Sequence, residues 1–320
     1  MSGGQTLDVI VTASEQVTPL IRHFTLARPD GAPLPAFSGG SHIIVVMRGP
    51  NRVYRNPYSL LSAPQDLGTY EIGVRRMEES RGGSQFLHDH VKVGDRLEIA
   101  HPVNLFALDK IARKHLLIAG GIGITPFMAQ VEDLRGGPVP FELHYSVRSP
   151  EHAAFAARLA SRAPGRVHLY HDSEQRFIDF EGLLSNQPLG THVYVCGPAG
   201  FIDRVVGTAR ACGWAGSHIH WEQFSAPPAG DAFEVTLAKS RRTVTVPADR
   251  TLLEALEGAG VEVPYLCRGG VCGFCHTKVV ECDGELLHHD LFLSEAEKAK
   301  GKAIMPCVSR ARAGRLVLDL

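Results

Sequence analysis

The chain has 320 residues, enough for about two domains or three small ones. It is 44% apolar and 21% charged, an ordinary globular mixture that excludes a disordered or low-complexity chain. Thirty-three lysines and arginines face 34 aspartates and glutamates, a net charge of −1, so no basic surplus awaits nucleic acid or an anionic membrane.

The opening residues, MSGGQTLDVIVTASEQ, lack a basic segment followed by an apolar run, so no secretory signal is expected there. The apolar stretch from Leu116 to Val131 is too short to cross a bilayer comfortably, and Gly120, Gly121, Gly123 and Pro126 interrupt it. A soluble, cytoplasmic protein is expected. None of the seven cysteines precedes Cys196, and Cys267, Cys272, Cys275, Cys282 and Cys307 crowd the last sixth of the chain. An odd, uneven set favours metal binding over disulfide pairing.

From Leu7 to about Ala107, short β-branched runs (LDVIVTASEQVT, IRHFTLAR, HIIVVMR, YEIGVRR, RLEIA) alternate with Pro/Gly clusters. That rhythm predicts an antiparallel β domain, closed or nearly closed, over residues 1–110. From about Lys114 to Phe224, apolar runs (HLLIAGG, FELHYSV, RVHLYHD, HVYVCGP) alternate with helical stretches such as EHAAFAARLASR. Alternation of this kind predicts βαβ units and a mostly parallel sheet over 111–226, with ligands gathered at the carboxyl ends of its strands. SAPPAGDA has no periodicity and reads as a linker, placed at 227–232. Beyond it, from 233 to 320, a hairpin turning at Ser240–Arg242 precedes a helix, TLLEALEGAGV, with Asp249 or Thr251 near its N-cap and Gly260 at its end.

The sharpest signal is Cys267-Arg-Gly-Gly-Val-Cys272-Gly-Phe-Cys275 with Cys307 thirty-two positions later, the C-x4-C-x2-C…C spacing of plant-type [2Fe–2S] ligation. Thiolates and sulfides concentrate negative charge, so the loop must aim amides at sulfur and leave no room for side chains. Gly269, Gly270 and Gly273 suit that loop. A structural zinc site would show two separated C-x2-C pairs, whereas only one stands here. Cys282 and Cys212 read as buried small apolar residues.

CRGGVCGFCHTKVV…KAIMPCVSRA resembles the C-terminal ferredoxin module of the phthalate dioxygenase reductase and vanillate demethylase reductase family, and the upstream segments match that family in order. The resemblance implies a multi-domain chain: an antiparallel β-barrel flavin domain, an α/β nucleotide-binding domain and an α+β, β-grasp ferredoxin.

Two further motifs carry the flavin. Family barrels have R-x-Y-S at the barrel edge. This chain reads Arg55-Asn-Pro-Tyr58-Ser59, one residue longer, which loosens the role of Arg55 while Tyr58 can stack and Ser59 can meet the ring N5. Arg81-Gly82-Gly83-Ser84 opens a helical stretch, and consecutive amides with a hydroxyl and a guanidinium form an anion cradle. The strand containing Gly73, Val74 and Arg75 lies beside the flavin in the family. A single cradle suits one terminal phosphate; the choice of FMN over FAD rests on the resemblance.

For a dinucleotide, Gly120-Gly121-Ile-Gly123-Ile-Thr125-Pro follows an apolar strand and opens a helix, and Cys196-Gly197-Pro198 closes a later strand at the same expected edge. The resemblance puts Thr125 between the two cofactors, Cys196 near the nicotinamide, and Phe224 and Ser225 back at the flavin. Asp172, just after RVHLYH, suits a ribose hydroxyl and favours NADH, whereas Arg148 and Arg176 argue for a 2′-phosphate. No histidine shows metal-ligand spacing with a carboxylate, and His288 and His289 are expected to face solvent.

NADH yields two electrons as a hydride and an iron–sulfur centre takes one, so a flavin is the expected converter and no acid–base residue is required. The chain shows neither Rieske ligands nor a haem-ligand motif, so the expected acceptor is a separate terminal oxygenase, and the resemblance implies that it is of the Rieske type. From Phe233 onward twelve basic residues meet twelve acidic ones, so docking rests on local contacts, with Arg268 a candidate. A general NADH:acceptor reductase and a flavin/iron–sulfur redox sensor are the alternatives.

Overall fold

A computed structural model describes residues 6–50, 52–78, 81–224, 230–312 and 314–320. Their contacts separate two compact units, the larger comprising Thr6–Glu78 and Gly82–Phe224, the smaller Arg81 with the described residues from 230 onward.

The larger unit begins with strands β1 (Thr6–Thr18), β2 (Ile21–Ala27), β3 (Ser41–Arg48), β4 (Val53–Ser59) and β5 (Tyr70–Arg75), then helix α1 (Gly83–His90), β6 (Arg96–Ala100) and the short β7 (Val103–Asn104). They form one antiparallel sheet in the order β4-β3-β6-β1-β2-β5, and a bridge between Leu60 and Ile72 brings the two ends together. The period-2 pattern sends Val9, Phe24, Leu26, Ile43, Val45, Met47, Ile72 and Ile99 into one apolar core, so the antiparallel barrel is as expected.

A parallel sheet follows, built from β8 (Lys114–Gly120), α2 (Thr125–Leu134), β9 (Phe141–Val147), α3 (Ala156–Arg162), β10 (Val167–His171), α4 (Phe180–Ser185), β11 (Thr191–Cys196), α5 (Ala199–Ala211) and β12 (Ile219–Glu222). Its order is β10-β9-β8-β11-β12. The central strand β8 is apolar from Leu116 onward because both its faces are covered there. Leu117 and Ala119 join Phe127, Leu143 and Tyr194 on one side; Leu116 and Ile118 join Val193, Ile202 and Val205 on the other. The connections reverse direction between β8 and β11, which opens a crevice at the carboxyl ends of those two strands.

Barrel and parallel sheet belong to the same unit, and one ion-pair cluster joins them. Glu71 of β5 accepts from His23 Nε2 of β2 at 3.1 Å and from the guanidinium of Arg158 on α3. Burial alone would raise the Glu71 carboxyl, but these two donors hold it down at about 2.

The smaller unit contains β13 (Phe233–Leu237), β14 (Thr243–Val246), α6 (Leu252–Gly258), β15 (Thr277–Cys282), β16 (Glu285–Leu287), α7 (Glu295–Lys300), β17 (Ala303–Ile304), β18 (Arg310–Arg312) and β19 (Leu316–Leu318). Five strands run β14-β13-β19-β15-β17, with β13 and β19 parallel. Thr251 and Glu254 form a reciprocal capping box that starts α6, and Leu252, Leu253 and Leu256 pack it onto the sheet as a β-grasp. Of the two cysteines expected to be buried, Cys212 and Cys282 are each only half-buried. No helix among the described residues is long and apolar enough to cross a membrane.

Because its folded pKa lies below the ordinary 4.5, the Glu71 carboxylate stabilises the larger unit above that pH and loses the contribution as pH falls towards 2. Glu71→Gln should therefore cost about 1–2 kcal/mol at pH 7, with the gap to wild type shrinking below pH 4.5. Both tryptophans, Trp214 and Trp221, lie in this unit, so urea unfolding followed by tryptophan fluorescence measures it.

Candidate functional site

Tertiary structure brings the two flavin motifs together. Side chains on β4 alternate, so Tyr54, Asn56 and Tyr58 share one face while Arg55 and Ser59 take the other. Asn56 Nδ2 donates to the Tyr58 hydroxyl at 3.3 Å. The Gly82–Gly83 turn lies directly on this face. A methyl added to Gly82 would lie 3.0 Å from the Tyr54 hydroxyl, and one on Gly83 only 2.5 Å from Asn56 Nδ2. Gly82, at φ 97°, is the N-cap of α1 without any side-chain cap, and the Ser84 hydroxyl instead accepts from the Met77 amide at 3.4 Å. The additional residue in R-x-x-Y-S thus moves Arg55 away from the Tyr58 face and gives the place nearest the glycine turn to Asn56. Arg81 lies 3.1 Å from the Glu254 carboxylate.

Ser59 is buried, and its Oγ has no hydrogen-bond partner among the described residues. Directly opposite it on β3 is His42, with both ring nitrogens equally unsatisfied. Burial lowers the His42 pKa to about 4, so this is a neutral imidazole. Unsatisfied buried polar atoms are costly, and three at one point fit the polar edge of a bound ring. His42 was not anticipated, since a lone histidine in a strand carries no motif.

At the crevice of the parallel sheet the two nucleotide turns touch. Residues Gly121–Ile124 form a tight 3₁₀ turn, with Gly121 at φ 56°, before α2 starts at Thr125. A methyl on Gly123 would lie 2.2 Å from the Cys196 carbonyl oxygen and 2.7 Å from the Gly197 nitrogen. One on Gly197 would lie 3.2 Å from Gly120 Cα, and one on Gly120 3.1 Å from Pro198. Only bare backbone permits this approach, which leaves a cradle that a pyrophosphate fits. Cys196 is fully buried, and burial pushes its thiol well up, so it is a neutral packing group.

The nucleotide turn also reaches the barrel. A methyl on Gly73 of β5 would lie 3.1 Å from Thr125 Cγ2 and 3.3 Å from the Phe155 ring. Thr125 spends its hydroxyl on the Ile122 carbonyl at 3.0 Å. Val74 holds α1 through its carbonyl, 2.8 Å from His88 Nε2. Arg75 has its pKa lowered by burial and then by the neighbouring Arg148, so two cations stand close together, as an anionic ligand would favour. Asp172 lies just beyond β10 on a short turn, and Arg176 is 3.7 Å from Glu174. Phe224 is 45% exposed; Ser225 lies outside the described residues.

In the smaller unit the four expected cysteines converge. Cys275 Sγ and Cys307 Sγ are 3.2 Å apart, and the Gly269 amide donates to Cys267 Sγ at 3.3 Å. Contact with Cys272 Sγ, then amides from Gly269, Val271 and Cys272, hold the Cys267 thiol well below its ordinary value despite burial. Four free thiols met by backbone donors fit an iron–sulfur cluster. Gly270 (φ 78°) and Gly273 (φ 73°) take the left-handed backbone, and methyls there would lie 2.6 Å from Val308 and 2.2 Å from the Phe292 ring. Gly269 needs neither, and Arg268 instead adopts φ 52°.

Arg268 is not a docking contact. It is 7% exposed, pairs with Glu257 through both terminal nitrogens at 2.7 and 2.8 Å, and lies over the Tyr265 ring. Nor does His288 face solvent: its side chain is 9% exposed and lies 3.4 Å from Asp290, while His289 is exposed.

Three family models cover the chain: "Oxidoreductase FAD-binding domain" over residues 8–107, "Dimethylamine monooxygenase subunit DmmA-like, N-terminal domain" over 101–219, and "2Fe-2S iron-sulfur cluster binding domain" over 235–312. A carnitine monooxygenase reductase subunit of Acinetobacter baumannii is 49% identical over 313 residues, 97% of each chain. A heme-dependent oxidative N-demethylase beta subunit of Ectopseudomonas mendocina is 46% identical over 98% of this chain and 99% of its own. The solved structure of phthalate dioxygenase reductase superposes with a TM-score of 0.88 at 36% identity, covering 98% of both chains. This chain belongs to the phthalate dioxygenase reductase and vanillate demethylase reductase family, oxidoreductases that join a flavin domain to a [2Fe–2S] domain.

Proposed function

We propose that the chain is the NADH-dependent reductase component of a two-protein oxygenase system, passing electrons through FMN and its own [2Fe–2S] cluster to a separate Rieske-type terminal oxygenase. The observation that carries this reading is the packing of Thr125 on Gly73, which sets the nucleotide turn against the flavin strand. Hydride transfer needs the two rings in contact, and this is where they would meet. When bound, the flavin supplies the change from one two-electron donor to single electrons.

The chain's own groups then divide the work. The Gly120–Gly123 turn cradles the dinucleotide phosphates, and the Cys196-Gly197-Pro198 turn packed against it lies near the nicotinamide. The Gly82–Gly83 amides, Ser84 and Asn56 take the flavin phosphate, with Arg75 as a nearby cation, and one such cradle suits FMN. Tyr58, Val74 and Phe224 border the ring, and Ser59 donates to its N5 edge. Arg55 stands on the other face of β4 and Arg81 pairs with Glu254, so neither is assigned the phosphate. Cys267, Cys272, Cys275 and Cys307 ligate the cluster.

Asp172 accepts from a ribose hydroxyl, and the pairing of Arg176 with Glu174 weakens its pull on a 2′-phosphate, which supports NADH. The domains divide at 1–110, 111–226, 227–232 and 233–320. Seven free thiols suit a reducing, cytoplasmic setting. A haem-containing terminal partner is the second reading, favoured by the relative named for heme-dependent N-demethylation.

The purified protein should be yellow-brown, bleach with NADH, and release FMN on denaturation, identified by chromatography. Absence of NADH bleaching in iron-replete protein defeats the reading, as does negligible turnover with cytochrome c, which would leave a sensor. Cys272→Ser should keep NADH–ferricyanide activity within about twofold while losing iron and all support of the oxygenase, measured as product formed. Asp172→Ser should reduce the preference for NADH over NADPH by about tenfold in kcat/KM, the loss of one charge-assisted hydrogen bond.

A further inference from the structure

Away from the cofactor edge, the parallel sheet gathers a second set of donor groups. His192 stands near the start of β11 and His220 on the neighbouring β12, where His220 pairs in register with Tyr194. Side chains two apart share a face, so both imidazoles rise from the same side of the sheet, as does His115, the register partner of His192 on β8. Asp109 reaches this face from the connection between β7 and β8. These positions lie at the amino-terminal ends of the strands, opposite the nucleotide turns.

The distances are those of a ligand set. His192 Nδ1 is 2.9 Å from His220 Nε2 and 3.7 Å from Asp109 Oδ2. Two ligands bound at about 2.0–2.1 Å in a tetrahedral shell lie roughly 3.3 Å apart, between those two values. At 2.9 Å the two imidazole nitrogens share a proton, which a metal ion would replace while spreading them by roughly 0.4 Å. The carboxylate is already oriented: its Oδ1 accepts from the Ile111 amide at 3.0 Å, which leaves Oδ2 towards His192. The Asp109 amide in turn donates to the Tyr194 hydroxyl at 2.7 Å. The rings are fixed by stacking, His220 on Tyr194 with centroids 4.4 Å apart and His192 on His218 at 4.3 Å. His115 adds a buried Nδ1 with no hydrogen-bond partner among the described residues.

We propose that Asp109, His192 and His220 bind a divalent first-row transition ion, Zn2+ being the best match to two imidazoles and one carboxylate. Three protein ligands leave one position for water. The ion fastens the segment joining barrel and parallel sheet to β11 and β12. It takes no part in electron transfer, because zinc has no redox chemistry. The site is independent of the iron–sulfur cysteines.

The test uses iron-replete holoprotein, first dialysed against chelator, then equilibrated with ZnCl2, with zinc and iron both counted by mass spectrometry. Wild type should take up one tight zinc per chain at unchanged iron content. X-ray absorption at the zinc edge should show nitrogen and oxygen neighbours only. Asp109→Asn keeps the Oδ1 acceptor for Ile111 and removes the charge, so it should fold and bind zinc at least about tenfold more weakly. His220→Gln should do the same. No zinc uptake, equal uptake by wild type and both variants, or a sulfur shell around the zinc would each overturn the proposal, the last because the cysteine loop would then be the site.

Discussion

The larger unit depends on backbone meeting backbone at the crevice between β8 and β11. Gly123 lies so close to the Cys196 carbonyl and the Gly197 amide that a single methyl would force one of the two turns away. A parallel sheet puts the carboxyl ends of its central strands side by side, but it does not by itself let two loops touch. Glycine at Gly120, Gly123 and Gly197 permits that touch. The amides then remain available to a phosphate instead of being covered by side chains.

The same economy governs the neighbouring contacts. Gly73 admits Thr125 and Phe155 against the barrel, and Gly82 and Gly83 admit Tyr54 and Asn56 against α1. The polar groups at these places are few and already committed, such as the Thr125 hydroxyl on Ile122. The unsatisfied groups gather at Ser59 and His42. Rigidity comes from the apolar cores on both faces of the sheet and from Glu71, which draws a barrel strand and α3 towards one carboxylate. In the smaller unit the cluster loop follows the same rule: Gly270 and Gly273 take the backbone that a side chain would resist, and buried Arg268 is balanced by Glu257.

Much of this was legible in the chain. The spacing of Cys267, Cys272 and Cys275 names its chemistry because cluster ligation demands it locally. The change from period-2 runs to alternating strands and helices marks the passage from barrel to parallel sheet. Thr251 with Glu254 announces the helix that covers the ferredoxin sheet. Arg268 was misread because a charged residue beside a loop says nothing of Glu257 eleven positions earlier, whose carboxylate makes burial tolerable.

Local signals therefore determined the element types, the Cys267–Cys272–Cys275 motif and the glycine turns, since each is set by residues within a few positions of one another, whereas Cys307 joins that motif from thirty-two positions away. Tertiary structure alone decided which groups face each other. Strand alternation separated Arg55 from Tyr58 and gave Asn56 the place at the glycine turn, and register set His42 opposite Ser59. The assembly of Asp109 with His192 and His220 spans more than a hundred residues, a distance in sequence that only the pairing of β8, β11 and β12 removes.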